Sequence, residues 1–425
     1  MATNIPRIAI IGMGGFARHH HSAALEMERL GEIKLVAACD PQPENFAASQ
    51  IEWEFENRGI KVYADYLEML DAHREELDFV TVPTPIPLHA PMHRACVERG
   101  LGCYLEKPPT LFWAELEQMI EVEKKAHLQT QVGFNFIVEK QRQALKARLL
   151  AGEFGALQRA NFLGCWPRST AYFTRAPWAG KLMLDGRLVL DSCTGNAMAH
   201  HVHDALFWCG EGEVLSWGEV EHVEAQLYRA HAIESFDTAF ARVKCANSEI
   251  RLAATHAGSG CSWQREWVEC EDAVLTYESQ NSSYRIDWLD GREEIGAPLE
   301  TNLMIENLRH YSRYWRSEEA RPLTRLSDCR PFVQFNNLIF VAAGAIHQVE
   351  PQFLERLTNS NGEWLSIPDI EATLETFAQC GEFPRSRALG NSNLQRVATS
   401  AEIVKLEQAI RTFQAQNEAP YIRTN

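Results

Sequence analysis

The stretch Ile8-Ala9-Ile10-Ile11-Gly12-Met13-Gly14-Gly15-Phe16-Ala17 reads as a short buried strand running straight into a glycine-rich turn and a helix. Its last six residues fit GxGxxA, the dinucleotide fingerprint with alanine in the last place. Gly12 makes the tight turn, Gly14 lets the backbone approach a pyrophosphate, and Ala17 lets helix and strand pack closely. Gly15 and Phe16 complete a candidate cradle whose amide groups open the helix, where the dipole favours negative charge. Such hexapeptides arise by chance, but here the strand before, the helix after and an acid at the end of the next strand agree. That acid is Asp40. A carboxylate there accepts hydrogen bonds from a ribose diol and repels a 2′-phosphate, which favours NAD, with NADP the alternative. The plainer reading of Asp40 is a turn former before Pro41.

Outward from this stretch, short apolar runs (8–11, 35–39, 79–82, 103–105, 130–132) alternate with segments of helical spacing (16–30, 66–72, 89–99, 113–126). Continuous apolar strands separated by helices are what a parallel sheet covered on both faces requires. Residues 1–135 are therefore expected to form an α/β domain, a doubly wound parallel sheet of Rossmann type. Beyond about Gly155 longer alternating segments such as 237–243 and 263–277 suggest a mostly antiparallel open sheet. This places an α+β domain at 136–347, within which helical spacing returns from about Asn302, and leaves a C-terminal extension at 348–425.

The 425 residues and 45% apolar content suffice for two cores. No run approaches the roughly 20 apolar residues that span a bilayer, and the first residues lack the basic start of a signal peptide, so a cytoplasmic protein without a membrane partner is expected. A formal charge of −16 with no clustered basic face argues against a nucleic acid partner. The 11 cysteines are scattered, with no CxxC pair, and read as reduced core residues.

Two further stretches carry chemistry. Glu106-Lys107-Pro108 follows the run Cys103-Tyr104-Leu105 and so aims a lysine at the carboxyl edge of the sheet, where ligands bind. A partly desolvated lysine there is suited to hydrogen-bond or deprotonate a substrate hydroxyl; a surface pair with Glu106 is the plainer alternative. On a helix from Asn196 to Trp208, residues Met198, Val202, Ala205, Leu206 and Cys209 form an inward stripe. Asn196, His200, His203 and Phe207 form an opposite one, facing water or a cleft. His200 can exchange a proton near neutral pH, and Asn196, one turn away, can orient a hydroxyl or the ring. His201 and Asp204 can pair locally. A metal held by His200, His203 or Asp204 lacks a third ligand of convincing spacing, and His19-His20-His21 point in three directions, so no metal is expected.

These elements, with Thr84-Pro85, Leu88-His89, Val132 to Asn135, Gly152 to Gly155 and Asn196 to Gly210, occur in one order. In that order they resemble the glucose-fructose oxidoreductase / inositol dehydrogenase / MocA (Gfo/Idh/MocA) family. The resemblance implies a Rossmann domain holding NAD(P), a second open-sheet domain that also builds a homo-oligomer (dimer or tetramer), and hydride transfer at a hydroxyl carbon of a sugar, sugar acid or cyclitol. It implies cofactor contacts from Thr84, Pro85, His89, Glu106, Lys107 and Asn135, with Lys107 and His200 as proton-transfer residues. Asn196 stands where the family has an aspartate, and a shift of one residue would favour His201 with Asp204. The family's frequent arginine after Phe134 is missing, Ile137 and Val138 standing there. Trp166, Tyr172, Arg175, Trp178 and Lys181 precede the histidine helix, a mix suited to a sugar. Tyr172, Trp178, Lys181, Asn196, His200, His201 and Lys107 are thus the candidate substrate contacts. Minority activities, a glycosidase or epimerase working through transient oxidation, and a non-enzymatic nicotinamide sensor are the competing functions.

Overall fold

The computed structural model describes residues 5–279, 281–360, 362–390 and 397–418. The chain divides into two compact units.

The first unit comprises Met1–Thr110, Ala114–Glu139 and Glu300–Arg330. Its sheet contains β1 (Arg7–Ile11), β2 (Lys34–Cys39), β3 (Lys61–Tyr63), β4 (Phe79–Val82), β5 (Gly102–Leu105) and β6 (Gln131–Val132), all parallel, in the order β3-β2-β1-β4-β5-β6. This is the doubly wound sheet expected. Only β3 escapes the sequence pattern, because it is a three-residue edge strand with an exposed or half-buried face and no continuous apolar run. The strand order reverses between β1 and β4, and a sheet of this kind opens its crevice at the carboxyl ends of such a pair. Gly12 directly follows β1, and Pro83-Thr84 directly follow β4.

The helix Leu303–Trp315, expected with the second domain, belongs to the first unit. Its Met304, Leu308 and Tyr311 pack among Ile8, Phe79 and Tyr104. The Tyr311 hydroxyl accepts from Cys103 N (2.9 Å) and donates to Gln129 O (3.1 Å). Helical spacing announces an apolar stripe but not the core that receives it, so the sequence boundary at 135 misses this return.

The second unit comprises Leu111–Trp113, Lys140–Leu299 and Pro331–Asn425. Strand β7 (Leu157–Cys165) runs through its large sheet, and a small ribbon follows, β8 (Met183–Leu184) with β9 (Arg187–Leu188). Then come β10 (Val220–Arg229), β11 (Thr238–Cys245), β12 (Glu249–Thr255), β13 (Trp263–Cys270), β14 (Ala273–Glu278), β15 (Ser283–Trp288), β16 (Glu293–Gly296) and β17 (Ile346–Gln348). The order β16-β15-β14-β13-β7-β12-β11-β10-β17 is antiparallel except where β7 meets β12 and β10 meets β17. The C-terminal stretch lies on this sheet: Leu374, Phe377 and Ala378 of the helix Ile370–Cys380 share a core with Leu163, Phe240 and Ala253. The cysteines are all free and, apart from Cys261 and Cys380, buried.

A buried ion network stiffens the same unit. Arg142 pairs with Glu266, lies 3.5 Å from Asp204, donates to Ser279 Oγ and stacks 4.3 Å from the Tyr277 ring centroid. Lys146, also buried, donates to the carbonyls of Trp208 and Gly210, which end the histidine helix. Burial lowers its pKa to about 8.

Two predictions follow from these cores. Tyr311→Phe strands Cys103 N and Gln129 O, and should cost about 1–3 kcal/mol in a denaturant titration. Burial pushes His21, His93, His201 and His256 each down to about 4 from 6.5. The unfolded chain therefore binds protons that the folded chain refuses, so stability is full above pH 6.5 and is lost as pH falls from there toward about 4. Thermal unfolding across that window should show Tm falling with pH, and a Tm that stays level would contradict these burial effects.

Candidate active site

Only glycine fits the first position of the turn. Gly12 has φ +115°, donates to Cys39 O at 2.6 Å, and a Cβ there would lie 3.2 Å from Pro83 O. A Cβ on Gly14 would come within 3.0 Å of the Phe46 ring, whereas Gly15, at φ +54°, faces open space. The N–H groups of Gly14, Gly15 and Phe16 donate to no acceptor among the described residues. Three unspent donors at the mouth of the helix Ala17–Arg29, beside open space, fit a bound pyrophosphate. Phe16 is exposed. Asp40 closes the far side: Oδ2 accepts from Met13 N and Oδ1 from Gln42 N, each at 3.1 Å. Each oxygen keeps a lone pair for a ribose hydroxyl.

Two of the three adjacent histidines hold this turn in place, while His19 is exposed. His21 donates from Nε2 to Gly12 O (3.0 Å) and stacks on Trp53 with ring centroids 4.4 Å apart. His20, fully buried, donates from Nε2 to Glu106 Oε1 at 3.0 Å. Glu106 Oε2 accepts from Lys107 N at 3.1 Å. A Cβ on Gly133 would lie 2.8 Å from Glu106 Oε1, so the glycine after β6 makes room for this carboxylate. Glu106 thus acts as a buried strut, with Lys107 half-buried just after β5 and joined to Pro108 by a cis peptide.

The other cofactor candidates surround the same edge. Thr84 is half-buried and Pro85 exposed at the end of β4. His89 is buried, with Nε2 2.8 Å from Thr84 O and Nδ1 2.9 Å from Pro108 O, latching two loops together; burial pulls its pKa down. Asn135 accepts from the Tyr104 hydroxyl (3.1 Å), and its carbonyl accepts from Asn307 Nδ2 (2.9 Å).

In the second unit, Asn196 lies in a π-helical turn, Cys193–Ala197, capped by Ser192 Oγ, which accepts from Gly195 N at 3.0 Å. The α-helix proper is Ala199–Trp208. Asn196 Nδ2 donates to Asp191 Oδ1 (2.9 Å), and Asp191 Oδ2 accepts from Gly180 N (2.7 Å). The carboxylate absent at 196 is therefore present five residues earlier, bonded to the asparagine. No sequence signal singled it out, because Asp191 falls in none of the motifs that the sequence offers. His200 is half-buried, one turn beyond Asn196.

The expected outward stripe is corrected further along. His203 and Phe207 are buried, His203 accepting from Trp217 Nε1 at 3.3 Å, because aromatic residues pack on that side of the helix too. His201, the alternative in the shifted register, is 2% exposed and stacked on Phe162 at 4.8 Å. His201, Asp204 and Glu266 gather as a cation site would, yet Arg142 already supplies the positive charge among them. Of the remaining candidates, Tyr172 and Trp178 lie beneath Arg175 at 3.7 and 4.8 Å, and Lys181 pairs with Glu234 at 2.6 Å.

Residues 6–134 match the family described as "Oxidoreductase family, NAD-binding Rossmann fold". Over that stretch the chain is similar to the Gfo/Idh/MocA oxidoreductases. D-apiose dehydrogenase of Paraburkholderia graminis is 29% identical over 147 residues, 35% of this chain and 37% of that protein. Inositol 2-dehydrogenase 4 of Saccharopolyspora erythraea is 32% identical over 152 residues, 35% of this chain and 42% of that one. The matched stretch thus spans about two fifths of these relatives. Among solved structures, an oxidoreductase from Agrobacterium radiobacter in complex with NAD+, L-tartaric acid and magnesium superposes with TM-score 0.66. It is 16% identical and covers 80% of this chain and 96% of its own. The myo-inositol 2-dehydrogenase from Lactobacillus plantarum gives TM-score 0.61 at 18% identity, covering 80% and 97%. These likenesses show that the fold shared with those structures extends well past residue 134. No helix among the described residues is long and apolar enough to cross a membrane.

Asp40→Ala should weaken NAD about ten- to a hundredfold, the loss of a hydrogen bond to a charged group, and NADP far less. Fluorescence titration of both cofactors checks this; equal losses would mean Asp40 only holds the turn.

Proposed function

We propose that the protein is an NAD-dependent dehydrogenase that moves hydride between the nicotinamide and a hydroxyl-bearing carbon of a sugar, sugar acid or cyclitol. The observation that carries this reading is the strut at Glu106, which fixes the main chain of Lys107 at the carboxyl end of β5, next to the strand that flanks the nucleotide crevice. When bound, NAD supplies the hydride acceptor. Gly14, Gly15 and Phe16 hold its phosphates through backbone N–H groups, and Asp40 holds a ribose.

The proton is the task of the protein. Lys107 hydrogen-bonds the substrate hydroxyl and stabilises the oxygen as its proton leaves. His200 accepts or returns that proton, with Asn196 orienting the hydroxyl. Asp191, 4% exposed and bonded to Asn196, supplies the negative charge that the asparagine lacks, so the substitution at 196 displaces a carboxylate by one bond rather than deleting it.

Lys107→Ala should lower turnover by roughly 10²–10⁴ with NAD affinity within a few-fold of the parent, and His200→Ala should do the same. Steady-state rates on a panel of sugars, sugar acids and cyclitols, paired with cofactor titrations, make the comparison. Turnover unchanged in either variant refutes that residue's role.

A further inference from the structure

Arg168 is a cation without a carboxylate. It follows β7, and its main chain is pinned at both polar atoms: N donates to His256 O (3.1 Å), and O accepts from His231 Nε2 (3.0 Å). His231 is held in turn by Asp237, whose carboxylate also takes the N–H groups of Ala230 and His231. This part of the backbone is rigid. The side chain, by contrast, makes no ion pair and no hydrogen bond among the described residues, and its Nε is buried without an acceptor. The guanidinium lies 5.7 Å from the Trp166 ring centroid and 4.8 Å from that of Tyr172. Arg175, 3.7 Å from the same Tyr172 ring, bonds only a carbonyl oxygen, that of Tyr172.

Two arginines on one tyrosine, neither with an acid, stand out in a chain with 57 acidic and 41 basic residues. Elsewhere in this unit Arg142, Arg148, Arg159 and Arg242 each meet a glutamate. Lys181 is already paired, and both oxygens of Asp191 are committed to Gly180 N and Asn196 Nδ2.

Contacts lead from Arg168 to the turn that bears Asn196 and His200 by two routes. Trp166, beneath the guanidinium, meets His201 edge-on at 5.8 Å. Tyr172 and Asp191 line one small cavity with Cys193 and His256, and Asp191 holds Asn196. A planar guanidinium on aromatic faces with unspent N–H donors is built to take an oxyanion two bonds at a time.

We propose that Arg168, assisted by Arg175, selects a substrate that carries an oxyanion, the carboxylate of a sugar acid or the phosphate of a sugar phosphate. This rests on the reading of the second unit as the part that holds a polyhydroxylated substrate. Glucuronate, glucose 6-phosphate and uncharged glucose and myo-inositol serve as probes, with binding to the NADH-loaded protein followed by calorimetry. The parent should bind one of the anionic probes at least about tenfold more tightly than either neutral one, and Arg168→Gln should lose about ten- to a hundredfold on that probe while changing the neutral ones less than about twofold. Arg168→Lys should fall between, and Arg175→Gln, a change at an exposed residue that leaves the core untouched, should cost less. Which anion responds separates carboxylate from phosphate. A parent that prefers the neutral probes, or an Arg168→Gln protein that loses all probes equally, overturns the inference while leaving a polyol substrate intact. A parent that binds none of the four overturns both.

Discussion

The hydrogen bond between His20 and Glu106 is the constraint on which the nucleotide-binding unit turns. A carboxylate 5% exposed must be met by donors or be neutralised. Here one oxygen takes the imidazole N–H of the helix that follows the glycine turn, and the other takes the backbone N–H of Lys107. The strut therefore ties the helix after β1 to the end of β5, across β4, which lies between them in the sheet. Gly133 is glycine because the same carboxylate occupies the space of its Cβ. His21, one residue on, secures the carbonyl of Gly12, so neighbouring side chains fix both the phosphate turn and the lysine.

The second unit solves a comparable problem around Asp191. Its carboxylate is buried, and it joins the segment at Gly180 to the π-helical turn at Asn196. The helix that follows is enclosed on nearly every side, with the Arg142 network near Asp204 and Lys146 closing its carboxyl end. The polar groups left half-buried are Asn196 in that π-helical turn and His200 in the first turn of the helix.

How much of this was legible depended on whether the physics was local. Continuous apolar runs such as 35–39 and 79–82 announce a parallel sheet because no other environment buries both faces of a strand. The glycine spacing announces the turn because φ and close approach are backbone properties. The partners of buried polar groups are different. Nothing local tells that His20 meets an acid 86 residues away, that Asp191 accepts from the side chain of Asn196, or that the stripe of Met304, Leu308 and Tyr311 returns to the first core. The outward face assigned to His203 and Phe207 failed for the same reason, since periodicity marks one apolar side of a helix and is silent when the other side is packed as well.

Hydride transfer itself is tested most directly by tracing deuterium. A sugar or sugar acid labelled at its reacting carbinol carbon is turned over with NAD, and the separated cofactor and product are read by mass spectrometry. Net dehydrogenation puts the label on the nicotinamide ring of the released cofactor. Label found back on the product, as transient oxidation in an epimerase or glycosidase would leave it, or label lost to water with the cofactor unreduced, would contradict the assignment.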